Sequence, residues 1–173
     1  MRNKRTLTIL DITVFGMLGG LMYVSKLAME FLPNIHMLGT FIVAITVVYR
    51  FRALYPIYVF VFLEGLFSGF STWWIPYLYI WLPLWGITML LPGNMPKKIA
   101  PAIYCIISGL HGLLYGTLYA PFQALAFGLN FKGMVAWIIA GLPFDCIHAV
   151  GNVICGLLIM PLIKVLTYCR KQV

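Results

Sequence analysis

Apolar residues form long runs along the chain, and short polar or Pro- and Gly-containing segments separate one run from the next. A helix that spans a membrane needs about 20 mainly apolar residues, so each long run is a candidate span. The last apolar stretch is too long for one span, and we expect Gly141 and Pro143 to break it after a short interfacial helix from Phe131 to Ala140. The six predicted spans cover residues 8–29, 35–49, 53–71, 76–92, 99–120 and 143–166.

The composition supports a protein without a water-soluble domain. Of the 173 residues, 62% are hydrophobic and 9% are charged, which lies outside the usual range of soluble domains. We therefore expect an all-α integral membrane bundle that forms a single membrane domain over residues 1–173. The net charge of +8 can indicate nucleic-acid binding, but the basic residues form small clusters between apolar runs. We interpret them as topology signals and expect no nucleic-acid partner.

The positions of Lys and Arg predict the orientation, because these residues accumulate in short cytoplasmic loops. With six spans and both termini in the cytoplasm, ten of the twelve lie inside, and Lys26 and Lys132 lie near the outside. Inverting the protein or dropping one span scatters the positive charges across both sides. We therefore expect both termini to be cytoplasmic. The ten residues predicted inside are Arg2, Lys4, Arg5, Arg50, Arg52, Lys97, Lys98, Lys164, Arg170 and Lys171.

Polar residues within the predicted spans are candidates for a binding site, because ionisable groups are costly in hydrocarbon. Asp145, His148 and Asn152 are spaced i, i+3 and i+7, so they share one face of the last predicted span. That face contacts either a ligand or a neighbouring helix, and the same two alternatives hold for Glu64. His36, near the outer interface, contacts a ligand or is hydrated. Most of these groups fall in the outer half of the spans, which predicts a cavity open to the outside.

The segment from Trp73 to Trp81, between the third and fourth predicted spans, is dense in aromatic residues. Aromatic rings can stack on a planar heterocycle, and they also anchor membrane proteins at the interface as an aromatic belt. As a group above the polar cluster, they favour a lid over a binding site. The candidate rings are those of Trp73, Trp74, Tyr77, Tyr79 and Trp81.

Sequence motifs for several kinds of chemistry do not occur in the chain. It contains no GxxxxGK[ST] phosphate loop, no HExxH motif and no GxSxG elbow. An ATP-driven role of this kind therefore needs separate ATPase subunits, and we expect no catalytic residue, metal site or cofactor in this chain. Pairs of glycines at helical spacing allow close helix approach, most often within one protein. These pairs are Gly16 with Gly20, Gly65 with Gly69, and Gly112 with Gly116.

Several of these features together resemble the substrate-binding S component of energy-coupling factor (ECF) vitamin transporters. They are the six spans with cytoplasmic ends, the small-residue first helix, the outer Pro33-Asn34-Ile35-His36 segment, and above all the stretch GLPFDCIHAVGN over residues 141–152. The PFDxxHxxxN pattern within that stretch is the most specific part, and the resemblance covers nearly the whole chain. The first helix carries glycines where many members of the family carry an AxxxA pattern.

The resemblance implies a subunit of the bacterial plasma membrane that captures a vitamin or related micronutrient from outside. It implies docking on a membrane coupling subunit bound to two ATPases, followed by reorientation in the bilayer and release inside. Gly16 and Gly20 would form the docking surface. The residues implied in recognition are Asp145, His148, Asn152, Glu64 and the rings between Trp73 and Trp81.

Two other functions remain open from the residues alone. One is a membrane assembly or scaffold subunit in which the polar stripe only fixes packing. The other is an intramembrane enzyme or haem protein. For the transport reading, the rings and polar groups favour an aromatic micronutrient, and they suit flavin-, pterin-, thiamine- and purine-like compounds alike.

Overall fold

The computed structural model describes residues 7–93 and 95–172, and within these residues the chain is helical without strands. The predicted N-terminal basic cluster of Arg2, Lys4 and Arg5 lies outside the described residues. Two 3₁₀ helices, Arg50–Ala53 and Thr72–Leu78, accompany the α-helices. The α-helices are α1 (Ile9–Ala28), α2 (Leu38–Tyr49), α3 (Leu54–Ser68), α4 (Leu82–Leu90), α5 (Ala100–Leu113), α6 (Tyr115–Phe127), α7 (Phe131–Gly156) and α8 (Ile159–Gln172).

Four helical stretches among the described residues are long and apolar enough to cross a membrane. This confirms the all-α class and fits a membrane protein, while the count of six spans stays a prediction. Of the two remaining α-helices, α4 has 9 residues and α8 has 14. The four stretches are Ile9–Ala28, Leu38–Ser68, Ala100–Phe127 and Phe131–Gly156.

Polar and apolar side chains are distributed in the opposite way from a water-soluble domain. Glu64, Asp145 and Asn152 are each at most 3% exposed, whereas large apolar side chains such as those of Phe62 and Val150 cover the outer faces of the helices. Lipid solvates an apolar outer surface, and polar groups in hydrocarbon must find partners inside the protein. A surrounding bilayer therefore explains both the apolar outer surface and the buried polar side chains.

Polar contacts at the two ends of the bundle give the directions of the first three helices. Asp11, in the first turn of α1, pairs with Arg52, just before α3, at 3.2 Å. At the opposite end, Lys26 near the end of α1 pairs with Glu64 near the end of α3 at 2.7 Å. Helices α1 and α3 therefore run in the same direction, and α2 runs back between them through a turn at Arg50, where φ is 55°.

The end of the bundle that holds the Asp11–Arg52 pair also holds the ends of α4 and α8. The Arg50 guanidinium donates hydrogen bonds to the carbonyl oxygen of Leu91, just after α4, and to that of Met89. The Arg170 guanidinium of α8 donates to the carbonyl oxygen of Val48 in α2. We call this the basic end of the bundle, and we call the end with Lys26 and Glu64 the cavity end.

The bounds of α7 correct one prediction. The expected break at Gly141 and Pro143, with a separate helix from Phe131 to Ala140, is wrong, because α7 is continuous over Phe131–Gly156. The Asn130 side chain caps its start and accepts a hydrogen bond from the Gly133 N–H at 2.8 Å. The chain breaks instead between Gly156 and Ile159, before α8.

Packing on both sides of Pro143 explains why the helix continues through it. Proline in a membrane helix is tolerated where neighbouring helices hold the chain. Before Pro143, the Trp137 ring stacks on the Tyr119 ring of α6, with ring centroids 6.1 Å apart. After it, the Asp145 carboxylate accepts hydrogen bonds from the Gly116 N–H. Helix α6 thus supports α7 on either side of the proline.

Candidate functional site

A cavity of about 260 Å³ lies at the cavity end of the bundle. The last turn of α1, the loop before α2 and the last turns of α3 form its walls, together with single residues of the Thr72–Leu78 helix, α6 and α7. Carboxylate, ammonium, imidazole, amide and hydroxyl groups all occur in the lining. The lining residues with polar or aromatic side chains are Tyr23, Lys26, Glu30, Asn34, His36, Glu64, Ser68, Tyr77, Tyr115 and His148.

The loop between α1 and α2 brings His36 to the cavity wall. Asn34 has a φ of 61°, in the left-handed region that Asn tolerates better than most residues with a side chain. Pro33 precedes it with its restricted φ, so the two residues form a tight turn. This turn explains why the Pro33-Asn34-Ile35-His36 segment, predicted at the outer end of the second span, lies against the cavity.

An ion pair between α1 and α3 forms one wall of the cavity. The Lys26 Nζ atom lies 2.7 Å from Oε2 of Glu64, and the two side chains are 31% and 1% exposed. A buried carboxylate is costly without a cationic partner, so Lys26 accounts for the presence of a charged group at the Glu64 position. Because an ammonium has three donor hydrogens, Lys26 keeps donors for a further acceptor.

Two histidine rings lie together at the cavity wall. The centroid of the His148 ring is 5.2 Å from that of His36 and 4.7 Å from that of Tyr115. In both histidines the Nδ1 atom is buried and has no hydrogen-bond partner among the described residues. Buried polar atoms without partners are rare in native proteins, so these two nitrogens indicate incomplete hydrogen bonding at this wall.

His36 precedes α2 and lies outside the four candidate spanning helices. Burial, and after it the neighbouring His148, lower the pKa of His36 from 6.5 to about 3. The imidazole is therefore neutral at physiological pH. A neutral imidazole has one donor and one acceptor nitrogen, which suits a ligand that presents both kinds of group.

Trp81 lies directly behind the lining residues. It is 2% exposed, and its indole Nε1 has no hydrogen-bond partner among the described residues. Its ring centroid lies 5.5 Å from that of Tyr77 and 6.3 Å from that of His36. Behind it, the Nε2 atom of His111 lies 2.8 Å from the carbonyl oxygen of Ile80. His111 therefore contacts the backbone next to Trp81 and does not line the cavity. Trp81 thus supports the rings that line the cavity.

Asp145 and Asn152 do not line this cavity. Both Asp145 carboxylate oxygens accept hydrogen bonds from the Gly116 N–H, at 3.0 and 3.1 Å. The Asn152 amide donates to the carbonyl oxygen of Ser108 at 3.0 Å. A Cβ on Gly116 would lie 2.6 Å from an Asp145 oxygen, so glycine is required for this approach. Two residues of the polar stripe therefore hold α7 against α5 and α6, and the middle one, His148, contacts the cavity.

The other three rings predicted in this segment, those of Trp73, Trp74 and Tyr79, lie outside the cavity lining. The Trp74 indole donates a hydrogen bond to the carbonyl oxygen of Val61 at 2.7 Å, and the Tyr79 hydroxyl donates to that of Leu118 at 3.0 Å. The Trp73 ring meets the lining Tyr77 edge-on, with centroids 5.5 Å apart. The segment is thus fastened to α3 and α6, and only Tyr77 of the five predicted rings reaches the cavity.

The structure brings four of the ten sequence-predicted binding residues to the cavity: His36, Glu64, Tyr77 and His148. Lys26, Tyr23, Tyr115 and Asn34 line it without having been predicted to bind a ligand. Lys26 carried a signal, because it was one of two basic residues that the charge distribution placed near the outside. Its separation of 38 residues from Glu64 concealed the pair.

The two predicted docking glycines lie on an open face of α1. Beyond the local backbone of α1 itself, a Cβ added to Gly16 or to Gly20 would meet no atom of the described residues within 4 Å. Gly19, by contrast, packs against α3, where an added Cβ would lie 2.5 Å from a methyl carbon of Val59. The internal contact of α1 therefore uses Gly19, and the face with Gly16 and Gly20 has no partner among the described residues.

In comparisons with known proteins, no protein-family model matches the chain, and no curated protein or solved structure matches it. The fold and the cavity are therefore interpreted from their own geometry.

Proposed function

We propose that this chain is the substrate-binding membrane subunit of an ECF-type importer, which captures an aromatic micronutrient from outside and releases it into the cytoplasm. The observation that carries the proposal is the cavity at the end of the bundle opposite the basic end. Because Lys and Arg accumulate in cytoplasmic loops, the distribution of charge favours an outward-facing cavity. The resemblance of residues 141–152 to the S-component pattern supports the same function.

The chemistry of the lining favours a small planar ligand with polar edges. Tyr23, Tyr77 and Tyr115 offer aromatic faces, and His36 and His148 bring two incompletely hydrogen-bonded imidazoles. Ligand pockets typically combine apolar or aromatic walls with a few polar groups that fix orientation. A heterocycle that lies between the rings and exchanges hydrogen bonds with the imidazoles would satisfy both features.

The open face of α1 supports docking on a separate membrane subunit. Gly16 and Gly20 form a surface without side chains, and small residues in membrane helices allow close approach of a second helix. The energy for transport comes from ATPase subunits bound to that partner, since the chain carries no phosphate loop.

The test is to purify the protein from cells grown in rich medium and to identify co-purifying metabolites by mass spectrometry. The expected ligand is an aromatic micronutrient that rebinds saturably. His148→Ala is expected to weaken binding at least about tenfold, the effect of one lost hydrogen bond to a buried polar group. The matched control is Cys146→Ala, an exposed position on the same helix that lies outside the cavity lining. Equal affinity of both variants, or no saturable ligand, contradicts the proposal.

A second candidate is a membrane assembly or scaffold subunit, and one observation favours it. Asp145 and Asn152 both act as clamps between helices, as a purely structural polar stripe would. A stable complex that lacks ATPases, isolated together with a protein that binds no small molecule, would support this function. The two candidate functions differ in what they require of His148, because a scaffold subunit needs no ligand contact from its unpartnered Nδ1 atom.

A further inference from the structure

A second groove, of about 660 Å³, lies at the basic end, between the start of α5 and one face of α8. Three lysines surround it: Lys97 just before α5, and Lys164 and Lys171 on α8. The two α8 lysines are seven residues apart, so they share a helix face with the hydroxyl side chains between them. Those hydroxyls belong to Thr167 and Tyr168.

The groove carries positive charge, and no acidic side chain of the described residues lines it. The chain contains four acidic residues, and all of them lie among the described residues. Asp11 pairs with Arg52, Glu64 with Lys26, Asp145 with the Gly116 N–H, and Glu30 lines the cavity at the other end. No acidic residue therefore lines the groove, and the charge of its lysines is left for a partner.

The other wall of the groove is apolar, with side chains of Pro101, Met160 and Ile163. An apolar wall beside a cluster of ammonium groups fits an amphiphile, whose acyl chain follows the wall while its anionic head meets the lysines. A free inorganic anion would use only the lysines and leave the apolar wall uncovered. An acidic protein segment would likewise meet the lysines through its carboxylates and leave the apolar wall uncovered.

We propose that this groove binds an anionic phospholipid, with the headgroup phosphate held by Lys97, Lys164 and Lys171. The basic end is the end that the charge distribution places in the cytoplasm, where anionic headgroups attract basic residues next to the membrane. The site is separate from the cavity and does not depend on the function proposed for it.

The test measures lipid binding to the full chain in neutral detergent by native mass spectrometry. Phosphatidylglycerol is compared with phosphatidylcholine of identical acyl chains, and the wild-type protein is expected to prefer phosphatidylglycerol. Lys164→Gln/Lys171→Gln is expected to weaken phosphatidylglycerol binding about 30-fold, from about fivefold for each lysine. The matched control, Lys132→Gln, removes one charge outside the groove lining and is expected to change binding less than about twofold, against about fivefold for Lys164→Gln alone.

Three results would overturn the proposal. Equal binding of the two lipids by the wild type would leave a free anion or an acidic protein segment as the occupant. Equal losses for Lys164→Gln and Lys132→Gln would show general attraction to the net charge instead of a site. Glycerol phosphate, which has the charged group without acyl chains, is expected to bind at least about tenfold more weakly than the lipid. Equal binding of both would show a simple phosphate site.

Discussion

The ion pair between Lys26 and Glu64 allows an asymmetric prediction, because its two members differ in access to water. The Glu64 side chain is 1% exposed and the Lys26 side chain is 31% exposed. Lys26→Met removes the cation and leaves a buried carboxylate without a partner. Glu64→Gln removes the carboxylate and leaves an ammonium on a flexible chain that can turn toward water. We expect the first change to destabilise the protein more than the second.

The magnitudes follow from what each variant leaves behind. Removing one partner of a buried pair costs about 3–5 kcal/mol, because the remaining charge is uncompensated, and this range applies to Lys26→Met. For Glu64→Gln, solvent screens the remaining ammonium, and we expect a loss of about 1 kcal/mol in the free energy of unfolding. The double variant Lys26→Met/Glu64→Gln has no stranded charge, so it is expected to be more stable than Lys26→Met alone.

Reversible unfolding by a denaturing detergent, measured on ligand-free protein in bicelles, gives the free energy for each variant. Lys132→Met serves as the control, because Lys132 is exposed and forms no ion pair in the part of the chain that the structure describes, and a change within about 0.5 kcal/mol is expected. Equal losses for Lys26→Met and Glu64→Gln, or a larger loss for Glu64→Gln, would refute the reasoning. So would a double variant that is less stable than Lys26→Met.

Three further predictions concern packing and orientation. In the same unfolding assay, Gly19→Ala is expected to cost about 1–3 kcal/mol because its Cβ would collide with α3. Gly16→Ala, on the open face of α1, is expected to leave the free energy of unfolding unchanged. Equal effects of the two substitutions would contradict the packing of α1 against α3. Asn152→Ala is expected to cost about 0.5–1.5 kcal/mol, since it removes the buried hydrogen bond that holds α7 to the Ser108 carbonyl oxygen of α5, and an unchanged free energy would argue against the clamp. In intact cells, a membrane-impermeant maleimide is expected to label Lys132→Cys but not Cys169, each as the sole cysteine, and the reverse pattern would refute the orientation.

Local signals in the sequence were sufficient for the first three helices. The predicted bounds 8–29, 35–49 and 53–71 agree closely with α1, α2 and α3. At the start of α1, the Asp11 N–H donates to the Thr8 hydroxyl at 3.1 Å, and the Asp11 carboxylate accepts from the Thr8 N–H at 3.0 Å. Such a capping box joins residues three positions apart, so it can be read from the sequence.

The path of α7 and the lining of the cavity depend on contacts between residues far apart in the sequence. Pro143 indicates a break by its own chemistry, and the support from α6 that keeps the helix continuous cannot be read from neighbouring residues. Lys26 likewise could not be assigned to the cavity from the sequence, because its ion-pair partner Glu64 lies 38 residues away. The amphipathic spacing predicted that the polar stripe faces protein or a cavity, and the burial of Asp145 and Asn152 confirms this. Spacing alone does not reveal which members contact a neighbouring helix and which line the cavity.

The polar stripe combines contacts between helices with a contact to the cavity. Asp145 and Asn152 fasten α7 to the backbones of α6 and α5, at Gly116 and Ser108, and His148 lies between these two fixed points. A binding residue works only if it is held in place, and two hydrogen bonds on the same helix face hold His148 more firmly than one would. The spacing i, i+3, i+7 therefore places one cavity-facing imidazole between two anchors. This division of roles accounts for three costly polar residues on a single membrane helix.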